Sequence, residues 1–425
     1  MKSFSEPLMS VERDASYKKL RVVFTDLDGT CVHYPGVRRF RGYDDDHGGA
    51  KQEQGPHTNT NTRRAELILN VEDNKEDEKS RLGKVVARVT YKVQISQHVS
   101  HVCEHSTWQT NEPYELLELP ESSSGSRGFI GLNALRLYRR IRDEGLLLVV
   151  ISGCRYSTLL ERLPFIPEAD VYACESGGRI FYNERGLLLE DLAWRRNMAE
   201  QVKELERCKA AFKDRFPAEM EGGSIKLDDR SYTTAFRVRR VDALVPVGGR
   251  DMEHKSGKRF TRRVREWVEE GWAGVLHTTT NLGCVDVYPA RSGKKNAAAY
   301  IADRMGGWEL GRHAAFLCDD DNDIELAKCV NKVYLPGMSE GMREMVTHDL
   351  LEDGAAARNK YRYLRHGRLG SFCMQPFGHT ELLLHNLIFE IGGCQSYCEE
   401  CGGIMMMRMD HVCYHHPHCE HFHSS

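Results

Sequence analysis

The chain has 425 residues, which is too long for one compact core, so we expect two or more domains. Its formal net charge of −3 gives no indication of nucleic-acid binding. No stretch approaches the roughly 18 consecutive apolar residues of a transmembrane helix, so we expect no membrane-spanning segment.

The first twenty residues mix acidic with basic side chains and contain no apolar run, which argues against a secretory signal. Of the 14 cysteines, Cys154, Cys174, Cys284 and Cys318 lie in or beside apolar strand-like runs, a placement typical of small buried side chains. We therefore expect a reducing, cytoplasmic location, with import into an organelle left open.

The first predicted element is a short β-branched run, Val22 to Phe24, typical of a strand buried on both faces of a parallel sheet. Asp26 and Asp28 follow it, and side chains at i and i+2 leave a strand on the same side. Ligands bind beyond the carboxyl ends of such strands, so these carboxylates are candidates for catalysis or metal binding. On this stretch alone, an ordinary Asp-Gly turn is an equally good interpretation.

A long polar insertion follows. Residues 37–128 are charged and poor in aromatic side chains, a composition that predicts a largely disordered segment. Residues 84–99 alternate between apolar and polar, which is compatible with a short hairpin inside it.

Helix and strand patterns then resume. Apolar residues repeat at three and four positions between Leu132 and Ile141, which predicts an amphipathic helix that ends at Gly145. The apolar run 146–151 predicts a strand that delivers Ser152 and Gly153 to a helix start, where a hydroxyl and backbone N–H groups suit an anion. A third strand is predicted at residues 170–174.

Residues 186–282 have a different pattern of apolar and polar residues. An apolar stripe at helical spacing runs from residue 194 to 216 and stops at Pro217. An alternating strand at 232–238, a helix around 260–267 and strands at 275–280 and 284–288 follow, which favours a small α+β module inserted into a parallel-sheet domain. We interpret its arginines, Arg237 included, as a solvated face.

The last core segment carries cations and then anions. Lys294 and Lys295 open a predicted helix, and an apolar strand at 314–317 leads into three consecutive aspartates, which begin at Asp319. Three adjacent carboxylates after a buried strand repel one another unless a cation neutralises them. We therefore favour a metal site over a solvated helix cap here.

These motifs keep one order along the chain, and each follows a predicted strand or opens a predicted helix. The arrangement DLDGT, ISGCR, Lys294 and DDDND resembles the haloacid dehalogenase (HAD) superfamily of phosphohydrolases over residues 20–35 and 129–337. The segments CESGGRIFY and VDVYPARSGKK resemble its IIB branch, which includes Cof-like sugar phosphatases and sucrose-phosphate phosphatase.

The resemblance implies an α/β protein: a three-layer, Rossmann-like core with a parallel sheet, and an inserted α+β cap of the C2 type. The expected bounds are core at 18–36, 129–185 and 283–390, cap at 186–282, flap insertion at 37–128 and a Cys/His-rich tail at 391–425. The implied activity is Mg²⁺-dependent hydrolysis of a small phosphorylated metabolite, with a sugar phosphate as the expected substrate class.

The resemblance also assigns catalytic roles. Asp26 is the expected nucleophile, which forms an aspartyl-phosphate, and Asp28 the expected acid and base. Ser152, the N–H of Gly153 and Lys294 are expected to hold the transferred oxygens. Lys294 is preferred to its neighbour Lys295 because of its spacing from Pro289 and Ala297.

The expected ligands follow from the same resemblance. The metal set is Asp26, the carbonyl of Asp28, Asp319 and Asp323, and whether Asp323 or Asn322 touches the metal stays open. The expected substrate and phosphate contacts are Gly29, Thr30, Gly153, Arg155, Glu175 and Asn322. One departure is Ser176, where relatives of this branch usually have Asn.

The tail beyond residue 391 lies outside the resemblance. Cys398 and Cys401 form a CxxC pair, with His411 and Cys413 among the His and Cys residues downstream. The spacing is compatible with tetrahedral Zn²⁺. A structural zinc knuckle, an adventitious metal-binding tail and a disordered extension all stay open.

Two other functions are compatible with parts of the sequence. One is a regulatory or binding protein that kept the fold, with the tail as its interaction module; the presence of both Asp26 and Asp28 weighs against it. The other is a phosphosugar mutase, which is disfavoured because DDDNDIEL resembles the phosphatase form of the last motif.

Overall fold

The structure is a computed structural model. It describes residues 20–33, 64–68, 85–92, 99–101, 114–120, 128–228, 230, 232–240, 250–281, 284–363, 377–391, 397–398 and 403–404.

Nineteen strands lie in these ranges. In chain order they are β1 Val22–Thr25, β2 Arg64–Ile68, β3 Val85–Lys92, β4 Val99–His101, β5 Tyr114–Glu118, β6 Phe129–Gly131, β7 Leu147–Ile151, β8 Val171–Cys174, β9 Arg179–Glu184, β10 Leu187–Glu190, β11 Ile225–Asp228, β12 Phe236–Arg240, β13 Leu276–Asn281, β14 Cys284–Pro289, β15 Ala314–Leu317, β16 Lys332–Leu335, β17 Tyr361–Tyr363, β18 Tyr397–Cys398 and β19 Gly403–Ile404.

Twelve α-helices accompany them in the same ranges. They are α1 Leu132–Asp143, α2 Tyr156–Arg162, α3 Leu192–Asn197, α4 Ala199–Arg215, α5 Pro217–Glu221, α6 Arg250–Trp272, α7 Lys294–Gly306, α8 Leu310–His313, α9 Ile324–Cys329, α10 Glu340–Glu352, α11 Gly354–Lys360 and α12 Phe377–Glu390. One turn of 3-10 helix, Asp321–Asp323, precedes α9.

The large sheet has ten strands in the order β17-β16-β15-β1-β7-β8-β9-β10-β3-β2. Strands β17 through β8 are parallel, and the others pair antiparallel. Alternate residues of the central strands point to opposite faces. Val23 packs in a cluster with α1 and α12, whereas Val22 packs in another with α7 and α10. The predicted α/β class with three layers is confirmed.

The second sheet has four antiparallel strands in the order β11-β12-β14-β13. Phe212 of α4 and Val264 of α6 pack with Phe236 and Val285 of this sheet in a third apolar cluster. We call this sheet with α4, α5 and α6 the small unit. It lies in the chain between β10 and α7 of the large-sheet layers.

The sheets divide the chain at different residues from those predicted. Strand β10 belongs to the large sheet, although the module was expected to begin at residue 186. The reason is a tight hairpin after β9, with positive φ at both Arg185 (53°) and Gly186 (86°), the geometry that two-residue hairpins favour. Strand β14 pairs with β12 and β13 in the small unit, although the core was expected to resume at residue 283.

The predicted helical stripe at 194–216 is two helices. Helix α3 is capped by Asp191, whose carboxylate accepts from the Trp194 N–H at 2.9 Å, and α4 begins at Ala199. Pro217 ends this stripe as predicted but also opens α5, where its missing N–H costs no hydrogen bond.

The polar insertion contributes strands to the described part of the chain. Within the alternating stretch 84–99, where a hairpin was predicted, residues 85–92 form β3, which pairs with β2 on one side and β10 on the other; residues 93–98 lie outside the described residues. Strands β4, β5 and β6 form a separate three-stranded sheet. Apart from residues 119, 120 and 128, the rest of 37–128 lies outside the described residues.

Strands β18 and β19 form a two-stranded antiparallel pair in which Cys398 pairs with Gly403. Cys401 and the downstream His and Cys residues lie outside the described residues, so the zinc-binding hypothesis stays a prediction.

Seven cysteines between residues 31 and 329 carry free thiols, and Cys154, Cys174 and Cys318 among them are buried, as expected of small apolar side chains. No helix in those ranges has both the length and the apolar character needed to cross a membrane.

His33 links α12 to the first motif. Its Nε2–H donates to Thr380 Oγ1 at 3.1 Å, and the Thr380 hydroxyl donates to the Thr30 carbonyl at 2.8 Å. Burial, with a smaller contribution from His379, lowers the pKa of His33 from 6.5 to about 4. The folded chain therefore holds His33 neutral at pH values where the unfolded chain takes up a proton.

The lowered pKa of His33 predicts that the free energy of unfolding depends on pH. Neutral His33 contributes its full share above pH 6.5, and that share is lost as pH falls toward 4 because only the unfolded chain is protonated in between. Between neutral pH and pH 4.5, urea unfolding of wild type should lose about 2–3 kcal/mol more than that of His33→Gln, which keeps a donor for Thr380. Equal losses in both proteins would contradict this account.

Candidate active site

Asp26 lies at the centre of the carboxyl edge of the large sheet. It follows β1, which pairs in parallel with β15 on one side and β7 on the other. Its side chain is 4% exposed, and its Oδ1 accepts from the Leu27 N–H at 2.7 Å. Asp26 is thus held in one orientation at the end of a buried strand.

Among the described residues, Lys294 supplies the one ammonium group in contact with the Asp26 carboxylate. It is the first residue of α7, and its Nζ lies 2.9 Å from Asp26 Oδ1, 2.6 Å from Asp323 Oδ1 and 3.4 Å from Asn322 Oδ1. Lys295 is exposed instead. Burial disfavours the charged ammonium, but Asp26 and Asp323 outweigh burial and raise the pKa of Lys294.

Asp319 and Asp323 complete the acidic group. Asp319 follows β15 and its Oδ1 accepts from the Thr30 hydroxyl at 2.6 Å. Asp323 ends the 3-10 turn and is fully buried, with its Oδ2 3.4 Å from the backbone N–H groups of Asp319 and Asp320. Backbone donors and a hydroxyl therefore fix both carboxylates.

The three carboxylates of Asp26, Asp319 and Asp323 offer oxygen atoms within 4.8 Å of one another. Burial, and then the neighbouring negative charges, raise the pKa of Asp319; burial also raises that of Asp26, against the attraction of Lys294. The single ammonium of Lys294 does not neutralise three carboxylates. Hard carboxylate oxygens gathered in this way fit a Mg²⁺ ion.

Gly29 permits this close arrangement. Its φ of +88° lies in the left-handed region, and a Cβ there would overlap the Asp319 carboxylate. Only glycine lets the first motif approach the last one so closely.

The Asp28 carboxylate forms an ion pair that the sequence did not predict. Its Oδ1 lies 2.6 Å from Nη1 of Arg162, a buried side chain at the end of α2. An arginine in the last turn of a short helix is usually solvated, so the sequence around Arg162 did not indicate this ion pair.

Ser152 and Gly153 follow β7 on the neighbouring strand. Ser152 is 1% exposed, and its Oγ accepts from the Cys154 N–H at 3.1 Å. A Cβ at Gly153 would lie 2.5 Å from Asn281 Nδ2 and 3.5 Å from Asn322 Nδ2. The loop therefore lies between Asn322 of the core and Asn281 of the small unit.

The small unit contributes further polar groups at this point. Arg237 donates to both Asp286 oxygens at 2.5 and 2.7 Å, and Asn281 donates to Asp286 Oδ2 at 3.2 Å. Sequence reasoning placed Arg237 on a solvated face and did not single out Asn281 or Asp286. The available signal was an opposite-charge pair on neighbouring antiparallel strands, where Arg237 faces Asp286 in register.

The two predicted substrate contacts at strand ends both meet the small unit. Arg155 lies 3.7 Å from Asp228 and donates to the Arg230 carbonyl at 3.5 Å. Glu175 accepts from Thr233 and Thr234. The structure thus brings Asp26, Asp319, Asp323, Lys294, Asn322 and Thr30 together, with Ser152 and Gly153 beside them, and directs Asp28, Arg155 and Glu175 to other partners.

Comparisons by sequence find no matching protein-family model and no matching curated protein. Comparisons by structure find similar folds. The sucrose-phosphatase of Synechocystis, solved with sucrose and phosphate, is 17% identical with a TM-score of 0.37; the match covers 54% of this chain and 85% of that one.

Two other solved structures are similar. The trehalose-6-phosphate phosphatase of Aspergillus fumigatus is 12% identical over 88% of this chain and 94% of its own, with a TM-score of 0.34. A haloacid dehalogenase-like hydrolase of Bacillus subtilis is 16% identical over 52% of this chain and 82% of its own, with a TM-score of 0.31. These values are too low for the neighbours' activities to be transferred to this chain.

Proposed function

We propose that this chain is a Mg²⁺-dependent phosphomonoesterase of the HAD superfamily, with the small unit as its C2-type cap. The observation that carries the proposal is the meeting of Asp26, Asp319 and Asp323 with Lys294. These side chains come from three separate segments and are buried together at the carboxyl edge of a parallel sheet.

The residues that would hold Mg²⁺ are Asp26, Asp319 and Asp323, with the carbonyl of Asp28. When bound, the ion would offset the negative charge of the carboxylates and of a phosphate monoester, so that one anion can approach another.

The remaining chemistry belongs to the chain. The Asp26 carboxylate, oriented by the Leu27 N–H and by Lys294, attacks phosphorus and forms an aspartyl-phosphate while the leaving alcohol departs. Lys294, Ser152 and the Gly153 N–H stabilise charge on the transferred oxygens. Once its carboxylate has separated from Arg162 and taken up a proton from solvent, Asp28 gives that proton to the leaving alcohol. As a carboxylate again, it takes a proton from the water that attacks phosphorus, which breaks the bond to Asp26 and releases phosphate.

A sugar phosphate is the proposed substrate class. We call Ser152 and Gly153, the loop after β7, the phosphate loop. Support comes from Asn281 and Asp286, which lie beside Gly153, and from Arg237, which pairs with Asp286. Their amide, carboxylate and guanidinium groups suit a leaving group rich in hydroxyls. The Synechocystis neighbour, solved with sucrose and phosphate, makes sucrose 6-phosphate a natural first compound to test. The free cysteines support a reducing, cytoplasmic setting.

The test is phosphate release from a panel of sugar phosphates that includes sucrose 6-phosphate, with 4-nitrophenyl phosphate as a general substrate. We expect turnover in Mg²⁺ that EDTA abolishes and added Mg²⁺ restores, with at least one sugar phosphate preferred to the aryl ester. Turnover that is unaffected by EDTA would contradict the metal assignment, and no turnover on any phosphate would contradict the proposed function.

Metal binding also predicts a change in stability. Because the folded chain gathers three carboxylates and the unfolded chain does not, Mg²⁺ at a hundredfold excess over its dissociation constant should add about 2.7 kcal/mol to the free energy of unfolding. Thermal denaturation in Mg²⁺ and in EDTA should therefore differ by several degrees. Asp319→Asn should lose most of this difference, whereas Asp303→Asn, an exposed position on α7, should keep it.

A further inference from the structure

One carboxylate oxygen of the core receives four donors from the small unit. Glu175 follows β8 and is fully buried. Its Oε2 accepts from the Thr233 N–H at 2.9 Å and the Thr233 hydroxyl at 3.1 Å, and from the Thr234 N–H and hydroxyl, both at 2.7 Å. We call this the 175–234 contact. It explains why the alternating stretch at 232–238 becomes a strand only at Phe236: the donors of Thr233 and Thr234 are directed to Glu175.

The turn that carries Glu175 also touches both anion-binding segments of the core. The Glu175 N–H donates to the Cys154 carbonyl at 2.8 Å, and the Ser176 N–H to the Ser152 carbonyl at 3.1 Å. The Ser292 hydroxyl donates to the Ser176 carbonyl at 3.2 Å, two residues before Lys294. One turn therefore links the loop after β7, the start of α7 and the small unit.

The backbone of the turn is shaped for this approach. A Cβ at Gly178 would lie 2.7 Å from the Thr234 Cβ, closer than side chains pack, so only glycine admits Thr234. Glu175 and Ser176 have φ values of 53° and 55°, in the left-handed region that non-glycine residues seldom adopt. Such conformations persist where surrounding contacts impose them, and they concentrate at functional sites.

The two oxygens of the Glu175 carboxylate differ in their hydrogen bonding. Oε1 of Glu175 is buried and has no hydrogen-bond partner among the residues that the structure describes, whereas Oε2 has four. Burying an acceptor without a donor costs free energy, which offsets part of what the four hydrogen bonds contribute. The buried Oε1 thus reduces the net stabilisation from the 175–234 contact. When Thr233 and Thr234 move away, water can hydrogen-bond to Oε1, so the contact suits a segment that closes and opens.

We propose that Glu175 is a positioning residue that holds the small unit closed over the phosphate loop. Thr233 and Thr234 lead into β12, and three residues later Arg237 pairs with Asp286 beside Gly153. The covalent chain joins the small unit to the core at its two ends, and the 175–234 contact adds an attachment directly at the phosphate loop, close to the ion pair of Arg155 with Asp228. The inference rests on the proposed function, since it assigns Glu175 to placing the part of the cap that meets the leaving group.

The test uses Glu175→Gln in the full chain, since an amide keeps the shape but forms weaker hydrogen bonds than a carboxylate. We expect amide hydrogen exchange at Thr233 and Thr234 to become about tenfold faster, with exchange in β1 and β7 unchanged. Glu161→Gln, at an exposed position on the neighbouring α2, is the matched control and should leave both unchanged. Double replacement of Thr233 and Thr234 by Val, which removes the hydroxyl donors, should reproduce the faster exchange, whereas Thr261→Val on α6 should not.

A second readout separates positioning from general stability. For the preferred sugar phosphate, kcat/KM of Glu175→Gln should fall about tenfold, mainly through KM, because the leaving group loses its placed partners. For 4-nitrophenyl phosphate, whose leaving group is a flat ring without sugar hydroxyls, kcat/KM should change less than twofold. A purely structural role would lower both equally.

The inference is overturned if exchange at Thr233 and Thr234 is unchanged in Glu175→Gln, if exchange rises equally throughout the core, or if both substrates lose activity alike. If wild type has no phosphatase activity, the proposed function fails, and the exchange measurement still decides whether Glu175 holds the small unit closed.

Discussion

Replacement of Asp26 by Asn should reduce turnover by about 10⁴-fold or more, the scale seen when a nucleophile is removed from an enzyme. The amide has nearly the same shape and can still accept from the Leu27 N–H, but it cannot form the acyl-phosphate that the proposed mechanism requires. The measurement is steady-state phosphate release in saturating Mg²⁺. A rapid acid quench with phosphate-labelled substrate should leave label on the wild-type chain and none on the variant.

The fold should survive this change. Lys294 keeps its contacts with Asp323 and Asn322, so no buried ammonium is left alone. Asp303→Asn, on the exposed face of α7, is the control for a general effect of losing one carboxylate and should retain wild-type turnover. If Asp26→Asn turns over at the wild-type rate, the covalent mechanism is wrong.

Replacement of Lys294 by Met should have the largest effect on stability. In EDTA, the free energy of unfolding should fall by about 3–5 kcal/mol, the usual cost of leaving buried charges without their partner. Met keeps most of the volume of the side chain, so the loss reports the charge and not a cavity. Turnover should fall by about 10²- to 10³-fold, because the ammonium beside Asp26 would also stabilise charge on the transferred group.

The lysine next to it supplies the control. Lys295→Met removes the same charge one residue away at an exposed position, and stability should stay within about 0.5 kcal/mol of wild type. Mg²⁺ should restore part of the stability lost in Lys294→Met, since the three carboxylates then have a cation again. Equal effects of the two substitutions would contradict the assignment of Lys294 as the partner of Asp26 and Asp323.

The central strands and their carboxyl ends could be predicted because they depend on local pattern. A short apolar run buried on both faces has no other stable place than the middle of a parallel sheet, and β1, β7, β8 and β15 lie within a residue of the predicted positions. The meeting of Asp26 with Asp319 and Lys294 follows from the same argument, because parallel neighbours end at one edge.

The partners of Asp28 and Glu175 could not be predicted in this way. Arg162 reaches Asp28 from the far end of α2, and Thr234 reaches Glu175 from another unit of the chain. Both contacts are tertiary, and neither follows from sequence spacing or from the period of a helix or strand. Arg237 was misjudged for a related reason: its charge suggested solvent, whereas the Asp286 carboxylate on the adjacent strand makes burial tolerable.

The edges of the large sheet were also beyond local reasoning. The polar composition of residues 37–128 predicts disorder, yet β3 pairs with β10 and β2. Backbone hydrogen bonds can add strands to an exposed sheet edge, as β3 and then β2 are added beyond β10, so composition is a weak guide there.

The position of β1 has a consequence for how the protein is made. Val22 pairs with Leu147 on one side and with Ala314 on the other, so β1 leaves the ribosome before either neighbour and has the second one only after the small unit has been synthesised. Until then the nascent chain carries an open apolar strand edge, a state that invites wrong pairing and calls for chaperone protection. Pairings this distant in sequence also slow folding. Competence of the site must therefore arise late in translation, when Asp319 emerges to meet Gly29 and Thr30.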